Sequence, residues 1–86
     1  MEAERMRLYK EIGARIKALR LEKGYTRESM AAHIKLSGKF LYEIEFGRKG
    51  FSVDVLLRIA NYLETGCDYI MTGKEYIIKE SVMNKN

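Results

Sequence analysis

Residues 26–47 read TRESMAAHIKLSGKFLYEIEFG, and the fold depends on this stretch. Thr26 and Ser37 are both suited to begin a helix, because a hydroxyl oxygen accepts a hydrogen bond from a backbone N–H group that the first turn leaves free. Gly47 is suited to end one, since glycine adopts the left-handed conformation without a steric penalty. The stretch therefore predicts two short helices, each beginning after one of the two caps.

Apolar side chains recur at helical spacing in both halves of this stretch. They are Met30, Ala31 and Ile34 in the first half, and Leu41 and Ile44 in the second. On helices at about 27–34 and 38–46 they form two apolar stripes that pack against each other. The turn between the helices falls around Lys35 and Leu36.

The sequence before this stretch continues the helical pattern. Apolar side chains recur there at intervals of four, four and three residues, at Leu8, Ile12, Ile16 and Leu19. This spacing places them on one face of an extended first helix, which we expect to end near Lys23 and Gly24. The helix also carries many charges, which we interpret as a solvated face with a supporting electrostatic role. The basic ones are Arg5, Arg7, Lys10, Arg15, Lys17 and Arg20.

The sequence after the stretch supplies two more helices. Ser52 is a third cap candidate, and the helix that follows it has a broad apolar face, so we expect it to be the central helix of the core. Its apolar residues are Val53, Leu56, Leu57, Ile59, Ala60 and Leu63. A last helical turn at Cys67, Ile70 and Met71 precedes Gly73. We expect the Cys67 thiol to be buried.

The chain of 86 residues contains no proline and many good helix formers. We therefore expect an all-α fold, a compact bundle of about five short helices around one modest core. Residues 1–73 are assigned to this domain and residues 74–86 to a tail. The tail is assigned either to packing on the domain or to oligomerisation, because it holds an apolar cluster. The cluster consists of Tyr76, Ile77, Ile78, Val82 and Met83.

The composition argues against several classes of protein. One cysteine and one histidine supply neither an intramolecular disulfide nor the ligand set of a structural zinc site. His33 shares a helix face with Ser29, but no further acid–base partner accompanies them. We therefore expect no enzyme, no catalytic residue, no metal and no cofactor. The cysteine pattern and the lack of any apolar run near the roughly 18 residues of a membrane span predict a cytoplasmic protein.

Charge gives a weaker indication of the partner. Sixteen basic and twelve acidic residues give a net charge of +4, and the basic excess lies in the first fifty residues. A basic surface is typical of proteins that bind polyanions, but solvated lysine-rich faces of other proteins look the same. Charge alone therefore does not assign a function.

The order of caps, apolar positions and glycines from Ile12 to Met71 resembles the phage repressor and Cro helix-turn-helix family. The matching positions are Ile12-Gly13, Arg15-Ile16, Leu19-Arg20, Glu22-Lys23-Gly24, Thr26, Met30-Ala31, Leu41, Ile44-Glu45, Gly47, Leu56-Leu57, Ile59-Ala60 and Leu63. The resemblance implies that the second motif helix enters the major groove of DNA. It further implies a transcriptional regulator that binds double-stranded operator DNA as a homodimer.

The same resemblance assigns two kinds of DNA contact. Base reading falls to Gly38, Lys39, Tyr42 and Glu43. Of these, Lys39 suits guanine O6 and N7, and Glu43 suits the amino group of cytosine. Phosphate binding falls to Thr26, Arg27, Ser37, Arg48 and Lys49.

Four residues depart from the family pattern. Lys35 stands where the turn usually has glycine, so a left-handed conformation there would cost about 1 kcal/mol unless another turn replaces it. Glu64 stands where a glycine usually ends the fourth helix, and we expect Gly66 to take over that exit. Gly38 presents no side chain to a base, and Phe46 replaces an Asn that commonly touches phosphate. We therefore expect modest discrimination between DNA sequences.

The side chains of the second motif helix leave some alternatives open. Phe40 and Tyr42 either contact thymine methyl groups and the sugar-phosphate backbone or pack against the core and a dimer partner. For Phe46 we favour packing. Glu45 is acidic in the family as well, and we expect it to bond to the backbone or to an arginine such as Arg15.

One alternative function uses the same fold. An antitoxin-like or anti-regulator chain would bind a protein partner through its tail, from Tyr76 to Met83, with secondary or lost DNA binding. Gly38 and Phe46 are the residues that favour this interpretation, because both weaken the expected DNA surface.

Overall fold

The computed structural model describes residues 2–75, and over that range the chain forms five helices and no strand. The helices are α1 (Glu2–Glu22), α2 (Arg27–His33), α3 (Gly38–Glu45), α4 (Val53–Leu63) and α5 (Cys67–Thr72). The expected all-α bundle is therefore confirmed. The apolar cluster of the tail, from Tyr76 to Met83, lies outside the described residues.

Three hydroxyl caps begin the middle helices, as the sequence predicts. Thr26 accepts a hydrogen bond from the Ser29 N–H at 3.0 Å at the start of α2. Ser37 does the same for α3 and Ser52 for α4, at 3.0 and 3.2 Å. Because each cap satisfies a free donor of the first turn, the local sequence alone determines where these helices begin.

The core lies where α1 packs against α3, α4 and α5, and where α2 packs against α3. Its buried apolar residues are Ile12, Ile16, Met30, Ala31, Ile34, Leu41, Ile44, Val55, Leu56, Ile59, Ala60, Leu63 and Ile70. None of the helices described over residues 2–75 is long and apolar enough to cross a membrane.

Some of the residues expected in the core are exposed. Leu8 is 44% exposed, because it lines an open apolar groove with Phe51, Leu56 and Met71 instead of entering the core. Val53 and Leu57 are 71% and 49% exposed, and Val55 is buried in their place. The apolar face of α4 is therefore narrower than the sequence suggests. The expectation that α4 is a central helix of the core agrees with its five buried apolar residues, although α1 also packs against three other helices.

The turn between α2 and α3 contains a left-handed lysine, which is one of the two alternatives that the sequence left open. Lys35 has φ = 61°, and Arg58 of α4 stabilises the turn around it. One terminal nitrogen of Arg58 donates to the Ile34 carbonyl at 2.7 Å, and the other pairs with Asp54 at 3.0 Å. A hydrogen bond from a charged donor is stronger than a neutral one and offsets part of the cost of the left-handed residue.

The exit of α4 differs from the prediction. Glu64 itself adopts the left-handed conformation, with φ = 55°, whereas Gly66 has extended backbone and begins α5. The Thr65 N–H bonds to the Ala60 carbonyl at 3.0 Å, which satisfies an acceptor at the end of α4. The chain turns directly after the buried Leu63, so α4 ends two residues before Gly66.

Gly13 sets the distance between α1 and α3. A methyl group at this position would overlap the backbone carbonyl oxygens of Ile44 and Glu45. The two helix backbones therefore touch at Gly13, and only glycine permits this approach. The contact fixes the carboxyl end of α3 against α1.

We predict that Gly13→Ala lowers the free energy of unfolding by about 1–3 kcal/mol, because the new methyl group pushes α1 away from α3. Gly38→Ala is the matched control, since a methyl group at Gly38 meets no atom within 4 Å. It should leave stability unchanged or raise it by up to about 1 kcal/mol. Urea unfolding measures both variants, and a Gly13 variant as stable as the Gly38 variant would contradict the close crossing.

Candidate nucleic-acid interface

The outward face of α3 carries three of the four residues predicted to read bases, and the fourth, Gly38, lies at the helix start beside it. Leu41, Ile44 and Glu45 are buried and fix which side of α3 faces the core. At 3.6 residues per turn, the opposite side of the helix is then determined. It presents Lys39, Tyr42, Glu43 and Phe46, and Gly38 borders it at the amino-terminal end of α3, where a side chain would meet open space. The predicted residues therefore form one continuous surface.

The four base-reading candidates differ in their surroundings. Lys39 is exposed and forms no ion pair within residues 2–75, and Gly38 leaves open space beside it. Glu43 is half-buried, with a carboxylate oxygen 3.9 Å from the ammonium nitrogen of Lys49. Lys49, predicted to bind phosphate, thus lies beside a residue predicted to read bases.

A buried ion-pair network lies directly beneath this face. The carboxylate of Glu45 is fully buried and accepts hydrogen bonds from Arg20 at 2.7 and 3.2 Å. Arg27 donates to the same carboxylate at 3.0 Å. A further Arg20 nitrogen donates to the Tyr25 carbonyl at 2.8 Å. The network joins α1, the loop before α2, the first residue of α2 and the last residue of α3.

The network corrects two expectations about arginines of α1. The partner of Glu45 is Arg20, not Arg15, and Arg20 is buried, not part of a solvated face. Five residues along a helix rotate a side chain through about 140°, so these two arginines reach different neighbours. Arg15 instead donates to the carbonyl groups of Ile70 and Met71, at 2.8 and 3.0 Å, and holds the end of α5.

Two aromatic rings and three cations form a cluster along one edge of the α3 face. The rings of Tyr42 and Phe46 lie 4.6 Å apart. The guanidinium groups of Arg27 and Arg48 lie over the Tyr42 ring, at 5.3 and 5.5 Å. The ammonium group of Lys17 lies 4.8 Å from the centre of the Phe46 ring. We call these five residues the cation–aromatic cluster.

The aromatic residues of α3 pack in two different places. Phe40 packs against the core, which is one of its two predicted alternatives. Phe46 does not pack against the core as favoured: it lies on Tyr42 and Lys17 at the surface, where it stays 38% exposed. Sequence reasoning missed Lys17, which it grouped with the solvated charges of α1. A lysine 29 residues from its aromatic partner leaves no periodic signal in the sequence.

The remaining phosphate-binding candidates border the same face. The hydroxyl oxygens of Thr26 and Ser37 accept hydrogen bonds as caps, and each hydroxyl keeps its own hydrogen as a donor. Arg48 is exposed, and the side chain of Lys49 is 59% exposed. With Arg27, these residues surround α3 on the sides facing α2 and the loop before α4.

Residues considered for other chemistry have structural contacts. A ring nitrogen of His33 lies 2.9 Å from the Ser29 carbonyl oxygen, and its ring packs on Tyr62. Cys67 is half-buried against the core, so its thiol is less enclosed than expected. Over residues 2–75, no group of histidine, cysteine and acidic side chains is arranged to hold a metal ion.

The fold and this surface define a helix-turn-helix protein. A model of the helix-turn-helix domain family matches residues 13–75, and the chain belongs to that family. The resemblance to the phage repressor and Cro type is confirmed. The chain is accordingly a DNA-binding protein of the transcriptional-regulator class. A search of curated protein sequences gives no match.

Solved structures of regulators have the same fold. Two are of the clp gene regulator ClgR from Corynebacterium glutamicum, each 28% identical, with TM-scores of 0.71 and 0.69. Each alignment covers 73% of this chain, and 67% and 82% of the respective ClgR chains. The third is the restriction-modification controller protein C.AhdI from Aeromonas hydrophila. It is 24% identical, with a TM-score of 0.69, over 72% of this chain and 94% of its own, and shows likeness of fold alone.

We predict that Glu45→Ala lowers the free energy of unfolding by about 3–5 kcal/mol, because it leaves the guanidinium of Arg20 buried without a counter-charge. Glu43→Ala removes the same side chain from a partly exposed pair and should cost at most about 1 kcal/mol. Chemical denaturation followed by circular dichroism measures both. Equal losses in the two variants would show that the buried network does not hold the helices together.

Proposed function

We propose that this protein binds operator DNA sequence-specifically, with α3 in the major groove, and regulates transcription as a homodimer. The observation that carries the proposal is the outward face of α3, where the base-reading candidates lie together with cationic side chains on both sides. ClgR is described as a gene regulator, which supports a regulatory role here.

Lys39 and Glu43 are the residues proposed to distinguish bases. Lys39 is free of ion pairs within residues 2–75, so its ammonium group is available to guanine O6 and N7. Glu43 accepts from the cytosine amino group, and its contact with Lys49 orients the carboxylate. Gly38 lets the start of α3 approach the groove closely, and the Tyr42 ring is covered by Arg27 and Arg48. We therefore assign most of the sequence discrimination to two side chains.

Five residues are proposed to hold the phosphate backbone. Thr26 and Ser37 donate through their hydroxyl hydrogens, while Arg27, Arg48 and Lys49 supply charge. Arg27 has its inner nitrogen bound to Glu45, which leaves its two terminal nitrogens available as donors to a phosphate. An arginine anchored in this way loses less side-chain entropy when it meets a phosphate.

A homodimer is proposed because of the size of the reading surface. An α3 of 8 residues contacts only a few base pairs, and two-fold symmetry doubles the site. Half-sites would then lie about 34 Å apart along the duplex. We place the protein in the cytoplasm, since the free thiol of Cys67 suits a reducing compartment. We propose no enzymatic step, because His33 contacts a backbone carbonyl and not the Ser29 hydroxyl.

The antitoxin-like alternative is not favoured by the residues that suggested it. Phe46, one of the two residues that suggested it, carries Lys17 over its ring and is not an open apolar docking point. Membership of the helix-turn-helix family also favours DNA as the partner.

We expect Lys39→Ala to change which duplexes are preferred, with a loss of about 1–3 kcal/mol on guanine-containing sites. Arg48→Ala, in contrast, should weaken specific and random duplexes alike and reduce the salt dependence of binding by about one phosphate equivalent. Fluorescence anisotropy with a selected duplex and a randomised pool measures both. Wild-type binding that is sequence-blind and vanishes at about 150 mM salt would contradict operator recognition.

A further inference from the structure

The cation–aromatic cluster gathers positive charge from three separate parts of the chain. Lys17 comes from the middle of α1, Arg27 from the start of α2 and Arg48 from the loop after α3. The aromatic pair, Tyr42 and Phe46, is the platform on which the three cations converge. No local sequence pattern requires this arrangement, because each cation belongs to a different element.

The charge of the cluster is not balanced by nearby carboxylates. Glu45 is its nearest acid, and that single carboxylate is shared between Arg20 and Arg27. Within residues 2–75, neither Lys17 nor Arg48 forms an ion pair. A ring stabilises an exposed cation only weakly, and repulsion between the three cations opposes this. An anion placed between the cations would relieve the repulsion.

The line along which the two rings of the cluster follow α3 indicates which anion fits between the cations. Tyr42 and Phe46 are four residues apart, so the platform extends about 6 Å along the edge of α3. It therefore runs beside the base-reading face from Arg27 towards Lys17. A strand of DNA whose bases meet that face has its phosphates along such an edge. The anion that suits this geometry is the backbone of duplex DNA.

The rings themselves are poorly placed to stack with bases. Single-stranded nucleic acids are bound on open aromatic faces, with cations at the edges. Here two guanidinium groups lie over the Tyr42 ring, and an ammonium group lies over the Phe46 ring. The rings thus hold cations in place, and the cations are what a ligand meets.

We propose that α1 takes part in DNA binding through Lys17, which donates to a backbone phosphate beyond those held by the residues around α2 and α3, with Phe46 positioning its ammonium group. The proposal rests on the proposed function and extends its footprint. Because a phosphate carries no sequence information, the contact contributes affinity without discrimination. It also gives Phe46 a role at the DNA surface as a positioning residue.

The test compares Lys17→Ala with Lys23→Ala in the full chain. Both variants remove one lysine and change the net charge equally, but Lys23 lies just after the end of α1 and pairs with Glu64, outside the cluster, at 3.4 Å. We expect Lys17→Ala to weaken a selected duplex and a random duplex several-fold to the same extent. Its log–log salt slope should fall by about 0.9, the value for one lost phosphate contact. Lys23→Ala should retain the wild-type slope.

A second substitution tests the role of Phe46. Phe46→Leu keeps an apolar side chain but removes the aromatic face, so the loss caused by Lys17→Ala should be smaller in this background. A Phe46→Leu variant in which Lys17→Ala has its full effect would overturn the positioning role. Urea unfolding of each variant verifies that the fold is intact.

The outcomes separate this inference from the proposed function. If the wild type binds no duplex specifically, operator binding fails, and the inference fails with it. If the wild type binds specifically but Lys17→Ala behaves like Lys23→Ala, only the α1 contact is overturned. Tighter binding of a single-stranded oligonucleotide than of the duplex would also overturn it, because stacking would then use the rings.

Discussion

The carboxylate of Glu45 is the group on which the rest of the site depends. A buried carboxylate is costly unless donors and a counter-charge surround it, and Glu45 has guanidinium donors from both Arg20 and Arg27. Since Arg20 also holds the Tyr25 carbonyl, one network sets α1, α2 and α3 relative to each other. Any shift of α3 along its axis would leave a charge buried without a partner. The recognition helix is therefore held by an interaction that tolerates few alternatives.

Two further contacts fix α3 on the side that faces the core, and its outward side is not used by them. Gly13 allows α1 and α3 to touch at their backbones, and Arg58 holds the turn that precedes α3. The outward face of α3 takes no part in this packing, so its residues are available to a ligand. Arg27 connects the two sides, because one nitrogen lies in the buried network while its guanidinium lies over the Tyr42 ring. The buried network therefore fixes the position of a cation on the outer surface.

The features that the sequence predicted are local ones. The caps at Thr26, Ser37 and Ser52 and the α3 face follow from neighbouring residues and from the helical period. What could not be predicted depends on contacts between distant positions, such as Arg20 with Glu45, 25 residues apart, and Arg58 with the Ile34 carbonyl, 24 apart. The predicted end of α4 was wrong for the same reason. The helix ends directly after the buried Leu63, and not at the nearest glycine. The contact of Lys17 with the Phe46 ring could not be predicted, because the alternation of charges along α1 does not show which side chain lies next to an aromatic residue.

The central claim is that DNA lies against the outer face of α3 and its cationic border. Amide chemical-shift mapping of the ¹⁵N-labelled protein, titrated with a duplex selected for binding, tests it most directly. The account predicts the largest changes at residues 38–43, at Arg27 and at Arg48, with small changes across α5 (Cys67–Thr72). Large changes on α5 and the first turns of α1, with α3 unaffected, would contradict the assignment of this face to DNA.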